Sequence, residues 1–241
     1  MRGLADSRTQ AQALLLAGHV RVGSGDAART DRKPGDLVAP DTPLELAERA
    51  QYVSRGGSKL AAALDAFGID PRDRVCLDVG ASTGGFSDVL LQRGARRVYA
   101  LDVGRGQLAE SLRNDPRVVA MERTHAARLE PDHPAHVRLP ELPSLAVIDV
   151  SFISLERVLP AVLAQVAPDG EIVALVKPQF EAGRDQVSKG VVHDESVRRA
   201  AVDRIRRFAA SALGLRTAGE IESPLTGPAG NREYLLHLVR G

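Results

Sequence analysis

The sequence has no tryptophan, a single cysteine, and an aromatic content of only 3%. The scarcity of aromatics leaves few stacking platforms for nucleic-acid bases. One cysteine excludes an internal disulfide and argues against a cysteine-based zinc site; Cys76 lies inside a short apolar run and reads as core. Formal net charge is +1, so no global basic field marks a nucleic-acid partner, and any such binding must come from local patches or shape. No apolar run approaches the roughly 18 residues of a membrane span, and no signal-peptide pattern opens the chain. A soluble cytoplasmic protein is expected. The 241 residues, 44% of them hydrophobic, suffice for one full α/β domain and a small module.

What is present begins with residues 75–86, Val-Cys-Leu-Asp-Val-Gly-Ala-Ser-Thr-Gly-Gly-Phe. Val75, Leu77 and Val79 read as a buried strand, Gly80 to Gly85 as a tight turn of small residues, and Phe86 onward as an amphipathic helix. Strand, glycine turn and helix open a nucleotide-binding α/β unit. The spacing is not that of a dinucleotide fingerprint, and Asp78 near the strand end suits a cation rather than a phosphate. S-adenosylmethionine (SAM), with an amino group and a sulfonium and no phosphate, fits that chemistry. A second strand ends at Asp102, where an acid holds the ribose diol of an adenosyl ligand.

Further short strands are expected at 118–121, 145–150, 171–176, 215–222 and 233–239, with helices between them. This alternation predicts a Rossmann-like, mostly parallel sheet with an antiparallel last strand. Asp149 and Lys177 stand at the ends of neighbouring predicted strands, in the crevice where open α/β sheets act. Ser58 is placed to cap a helix, with helices also expected over 107–113 and from Ser154 to Ala167. Lys59 would sit in the first turn, unfavourable for a cation against the helix dipole, so another partner is expected for it. Residues 1–48 differ in texture and read as a small α+β module, with a helix expected between Asp6-Ser7 and Gly18. Its seven basic and seven acidic residues up to position 50 do not mark it as RNA-binding. Residues 49–56 read as a linker and 57–241 as the main domain.

Seven ordered motifs complete the picture: Ser-Arg-Gly-Gly-x-Lys-Leu (54–60), Leu-Asp-Val-Gly-Ala-Ser-Thr-Gly-Gly-Phe (77–86), Asp-Val-Gly-x-Gly-Gln-Leu (102–108), Leu-Arg-Asn-Asp-Pro-Arg-Val (112–118), Asp-Val-Ser-Phe-Ile-Ser-Leu (149–155), Val-Lys-Pro-Gln-Phe-Glu (176–181) and Gly-x-x-Gly-Asn-x-Glu-Tyr (227–234). Over nearly the whole chain they resemble the TlyA family, bacterial ribosomal RNA 2′-O-methyltransferases sometimes labelled haemolysins. The second part is also similar to FtsJ/RrmJ, whose Lys-Asp-Lys-Glu tetrad falls here on Lys59, Asp149, Lys177 and Glu233. The resemblance implies SAM as cofactor and ribosomal RNA or ribosomal subunits as partner, with no metal and no membrane. It implies a SAM pocket shaped by Gly80, Ala81, Ser82, Thr83, Gly84, Gly85 and Phe86. Asp78 would lie near the methionine end, Asp102 and Val103 at the ribose, and Glu122 and Arg123 towards adenine, while Asp149 would bind the cofactor and, with Glu233, hold the two lysines in place. His125 stands where the family has Asn.

The N-terminal pattern Ser7-Arg8-x-x-Ala11-x-x-Leu14-x-x-x-Gly18-x-Val20-x-Val22 resembles the small RNA-binding module first seen in ribosomal protein S-four, with Arg8 facing RNA. Arg55 is expected to be a second RNA contact. The family's module begins upstream of Met1, so its first helix is expected to be incomplete here. Two other classes stay open on sequence: a lytic, membrane-acting protein, and a noncatalytic assembly factor that retains SAM.

Overall fold

The structure, a computed structural model, describes residues 4–241 apart from 6, 17–19, 25–27, 30–32, 47–50 and 228. The chain divides into two compact units, residues 1–51 and 52–241.

In the smaller unit, α1 (Arg8–Leu16) precedes a short antiparallel pair, β1 (Val20–Val22) and β2 (Leu44–Leu46), in the register Val20 to Leu46. Val20 and Val22 are buried while Arg21 between them is exposed, the alternation of a strand with one covered face. Ala11 and Leu15 are half-buried on α1 and Arg8 is exposed. The expected helix limits at Asp6 and Gly18 lie outside the described residues.

The larger unit is built on a seven-stranded sheet of order β5-β4-β3-β6-β7-β9-β8. The strands are β3 (Val75–Val79), β4 (Arg97–Leu101), β5 (Val118–Met121), β6 (Leu145–Ile148), β7 (Glu171–Val176), β8 (Leu215–Glu222) and β9 (Tyr234–Arg240). The first five are parallel; β9 inserts antiparallel between β7 and β8. Successive residues of β3 serve opposite faces. Leu77 packs with Tyr99, Ile148 and the helices α5 (Leu155–Leu163) and α7 (Glu195–Leu213). Cys76 packs with Val98, Val147 and the helices α2 (Gly56–Phe67) and α3 (Gly85–Gln92). Both faces are covered, as a parallel sheet requires. Each fully buried leucine contributes about 1.5–3 kcal/mol of hydrophobic stabilisation.

Three helix limits differ from the sequence expectation. α2 starts at Gly56, not after Ser58, because residues 54–58 close a turn through their own backbone: Gly57 N donates to Ser54 O (3.1 Å) and Ser58 N to Arg55 O (3.2 Å). Tyr52 is buried and α2 begins at Gly56, so residues 52–56 of the expected linker pack into the larger unit. The helix expected from Gln107 forms only as α4 (Glu110–Arg113), since Ala109 N donates to Thr83 O (3.1 Å) and holds residue 109 extended. α5 ends at Leu163 instead of Ala167, whose N–H donates to Pro143 O.

Candidate active site

The carboxyl ends of the parallel strands, together with the start of the antiparallel β9, meet along one edge. β9 runs opposite to β7 with Tyr234 opposite Val176, so Glu233 and Lys177 come to the same edge from opposite chain directions. Asp149 follows β6 immediately and donates its N–H to Val79 O (2.9 Å). Lys59 reaches the edge from the first turn of α2.

Glu233 is the partner that Lys59 needs: Nζ lies 2.5 Å from Oε2, and both side chains are almost wholly buried. Gln179 Nε2 also donates to Glu233 Oε1 (3.4 Å). Lys177 Nζ lies 2.6 Å from Asp149 Oδ1 and donates to Ser151 Oγ at 2.9 Å. The first of these is an ion pair without hydrogen-bond geometry, and Asp149 Oδ1 has no hydrogen-bond donor. All four charged residues line one cavity of about 320 Å³, together with Arg55 and Ser82.

The glycine turn forms another wall of that cavity: Gly80, Ala81, Ser82, Thr83, Gly85 and Phe86 all face it. Gly80 has φ +86°, and a Cβ there would collide with the Asp149 carbonyl. The turn therefore packs on the Asp149 backbone only because residue 80 has no side chain. Gly84, also left-handed at φ +97°, is the N-cap of α3 and lies buried behind the wall.

Asp102 lines an adjoining cavity of about 530 Å³ with Val103, His125 and Phe152. Its carboxylate accepts from Ser82 N (2.8 Å) and Gly104 N (2.6 Å), one bond per oxygen. A carboxylate offers about four lone-pair sites, so each oxygen keeps one for a diol. Together with the side-chain-free approach at Gly80, this arrangement fits an adenosyl ligand. Glu122 accepts from Gly106 N (2.8 Å) and pairs with Arg113. Arg123 is exposed with φ +54°, and its N–H holds the Gly104 carbonyl. His125 Nδ1 accepts from Ala127 N, a turn role.

Asp78 is placed differently from expectation. It is fully buried beneath the turn and lines neither cavity. Oδ2 accepts from Ser87 N (2.9 Å) and Ser87 Oγ (2.7 Å), fixing the start of α3, while Oδ1 has no partner. Burial pushes its carboxyl up to about 7.

Sequence reasoning assigned no role to Phe152. It is 90% exposed on the cavity rim, in a left-handed conformation (φ +64°), against Phe180 at 4.9 Å between ring centroids. The signal available was a phenylalanine within the turn Ser151-Phe152-Ile153-Ser154, in a chain with only five. Gln179 was likewise missed.

Solved SAM-dependent methyltransferases share this open α/β sheet. An O-methyltransferase from Bacillus cereus, solved with S-adenosylhomocysteine, shares the fold at TM-score 0.53 and 16% identity, covering 80% of this chain and 84% of that one. The FtsJ-like methyltransferase model matches residues 52–240. The 16S/23S rRNA (cytidine-2′-O)-methyltransferase TlyA of Mycobacterium tuberculosis is 51% identical, covering 98% of this chain and 86% of that protein. A Streptococcus thermophilus structure carrying a hemolysin label superposes at TM-score 0.76 and 44% identity, over 99% of this chain and 85% of that one. The chain belongs to the TlyA family of FtsJ-like methyltransferases. No helix among the described residues is long and apolar enough to cross a membrane.

Proposed function

We propose that this protein methylates ribose 2′-hydroxyls of ribosomal RNA, using SAM. The observation that carries the reading is the convergence of two Lys–carboxylate pairs, Lys59–Glu233 and Lys177–Asp149, on one cavity beside the glycine turn. The identity to an rRNA cytidine-2′-O-methyltransferase supports the substrate class. Such a substrate locates the protein with ribosomes, in the cytoplasm.

Bound SAM supplies a methyl group on a good leaving group, so the remaining difficulty is the weakly acidic hydroxyl. Lys177, held by Asp149 and Ser151, orients that hydroxyl and either takes its proton or stabilises the forming alkoxide. Lys59 and Glu233 form the second ion pair of the pocket, with Glu233 fixed by Gln179. Asp102 holds the ribose diol of the cofactor, Val103 lies beside it, and Gly80 to Phe86 give the floor. Asp78 acts from below, ordering the turn through Ser87, and Glu122 and Arg123 shape the adenine end through the Gly104–Gly106 loop. Phe152 offers an aromatic face to the target base. Arg55, on the cavity wall, contacts RNA phosphate. The N-terminal unit, residues 1–48 in the sequence reading, supplies further RNA contact through exposed Arg8.

The reaction class is tested by incubating purified protein with SAM and ribosomal RNA and locating the methyl group. Alkali-resistant linkages at discrete nucleotides are expected. Methyl groups found on bases would contradict the reading.

A further inference from the structure

Glu181 is buried, with 4% of its surface exposed, and lines neither cavity. Its two carboxylate oxygens leave their own segment, 177–181, and reach the segment that follows Asp149. Oε2 accepts from Ser154 Oγ (2.6 Å) and Oε1 from Leu155 N (2.8 Å). At the other end of the same two segments, Lys177 is bound to Asp149 and Ser151. Between these ends, the Phe180 ring rests on Phe152. The contacts form a ring: Lys177 through Glu181, across to Ser154, back through Phe152 to Asp149, and across to Lys177. Arg204 braces it from α7, donating to Glu181 O (2.8 Å) and pairing with Glu156.

Without the carboxylate, the link from the 177–181 segment to the segment after Asp149 would rest on Lys177 and the Phe180–Phe152 contact, while Arg204 and Gln179 hold the segment from other sides. Phe152 keeps a left-handed, exposed conformation, and such backbone states persist only where surrounding structure imposes them. Burial also pushes the Glu181 carboxyl up, while the Ser154 and Leu155 donors oppose that shift.

We propose that Glu181 is a positioning residue, closing the ring that sets the Phe152 face, on the larger cavity, and the Lys177 ammonium, on the smaller one, at a fixed separation. The consequence for methyl transfer rests on the reading of Lys177 as the group that meets the ribose hydroxyl; the ordering of the ring does not.

The test has an arm for each. The chain contains no tryptophan, so Phe152→Trp introduces a single indole at the ring. In that background Glu181→Ala is expected to raise acrylamide quenching and lower anisotropy of the indole, and Glu181→Gln, which keeps an acceptor for Leu155 N, to stay near the parent. Unchanged quenching and anisotropy in Glu181→Ala would overturn the positioning role. In the natural sequence, Glu181→Ala should slow single-turnover methyl transfer to ribosomal RNA by about tenfold to a hundredfold. SAM affinity should be unchanged, and Glu181→Gln should restore most of the rate. A matching loss of SAM affinity, or no rescue by Gln, would make Glu181 a general stability residue and reject the proposal. If Lys177→Ala kept its rate, the catalytic reading would fall, while the indole arm would still decide the ring.

Discussion

Two charged clusters occupy opposite edges of the same sheet, and they differ in how completely their polar atoms are used. At the amino edge, Arg74 donates to Ser144 Oγ, Ser144 O and Glu171, and Glu171 also binds His237 Nε2 at 2.6 Å. Phe67 stacks on the His237 ring. No member of that cluster is among the buried side-chain atoms lacking a partner. At the carboxyl edge, Asp78 Oδ1, Asp149 Oδ1 and Gln179 Oε1 all lack hydrogen-bond donors. Buried polar groups are normally satisfied, so three acceptors without hydrogen-bond donors at one edge, Asp149 on the cavity with only an ion pair and Asp78 and Gln179 off it, mark a place adapted to something other than stability. The closed cluster holds the sheet; the open one is the candidate site.

The largest effect expected from breaking this contrast is on rate. Lys177→Ala should lower single-turnover methyl transfer by about 10²–10⁴-fold, with little loss of folding stability. Lys177→Arg separates the two chemical roles. Arginine stays charged and cannot accept a proton, so an active Lys177→Arg would exclude base catalysis and leave electrostatic stabilisation.

Lys59→Ala should instead cost stability, because it strands the buried Glu233 carboxylate; removing one partner of a buried pair costs about 3–5 kcal/mol. Urea unfolding gives the number, and an unchanged midpoint would mean that the pair is solvated.

Asp102→Ala should weaken SAM binding by about 1.5–3 kcal/mol, the contribution of hydrogen bonds to a charged group, as measured by calorimetry. Unchanged affinity would remove Asp102 from the site.

The amino-edge cluster should respond to pH and not to substrate. His237 first, and then Arg74, hold the Glu171 carboxyl below its ordinary value of 4.5, although burial opposes them. A depressed folded value means that this stabilisation is full above about pH 4.5 and fades as pH falls through the folded value. His237→Ala should flatten that acid-side loss in thermal unfolding and leave methyl transfer at neutral pH unchanged. A wild-type acid slope in the variant would show that Glu171 does not depend on His237.

The smallest effect concerns RNA affinity. Arg55→Ala should reduce the salt dependence of rRNA binding by about one counterion in slope, uniformly across sequences. No change in slope would place Arg55 away from phosphate.

The parallel strands were legible because each is a short apolar run with a turn-former or charge at its end, and Gly80 marked the turn that had to approach Asp149. The antiparallel β9 was legible from two strand runs separated only by a turn. What escaped depends on contacts distant in sequence. Asp78 reads as a ligand-facing acid until Ser87, nine residues on, draws it under the turn. The exposure of Phe152 depends on Phe180 and Glu181, which no local pattern connects to it. Gln179 is recognisable only once β9 returns Glu233 to the same edge. Local pattern thus specified the scaffold and the charged residues along its edge, while the packing that orients them came from segments far apart in the chain.

The most direct measurement pairs two readouts on one variant. Lys177→Ala and wild-type protein are titrated with SAM by calorimetry and then assayed for single-turnover methyl transfer to ribosomal RNA, with the modified riboses mapped. The open cluster as catalytic centre predicts equal SAM affinity and loss of 2′-O-methylation in the variant. Near-wild-type methylation by Lys177→Ala would contradict it.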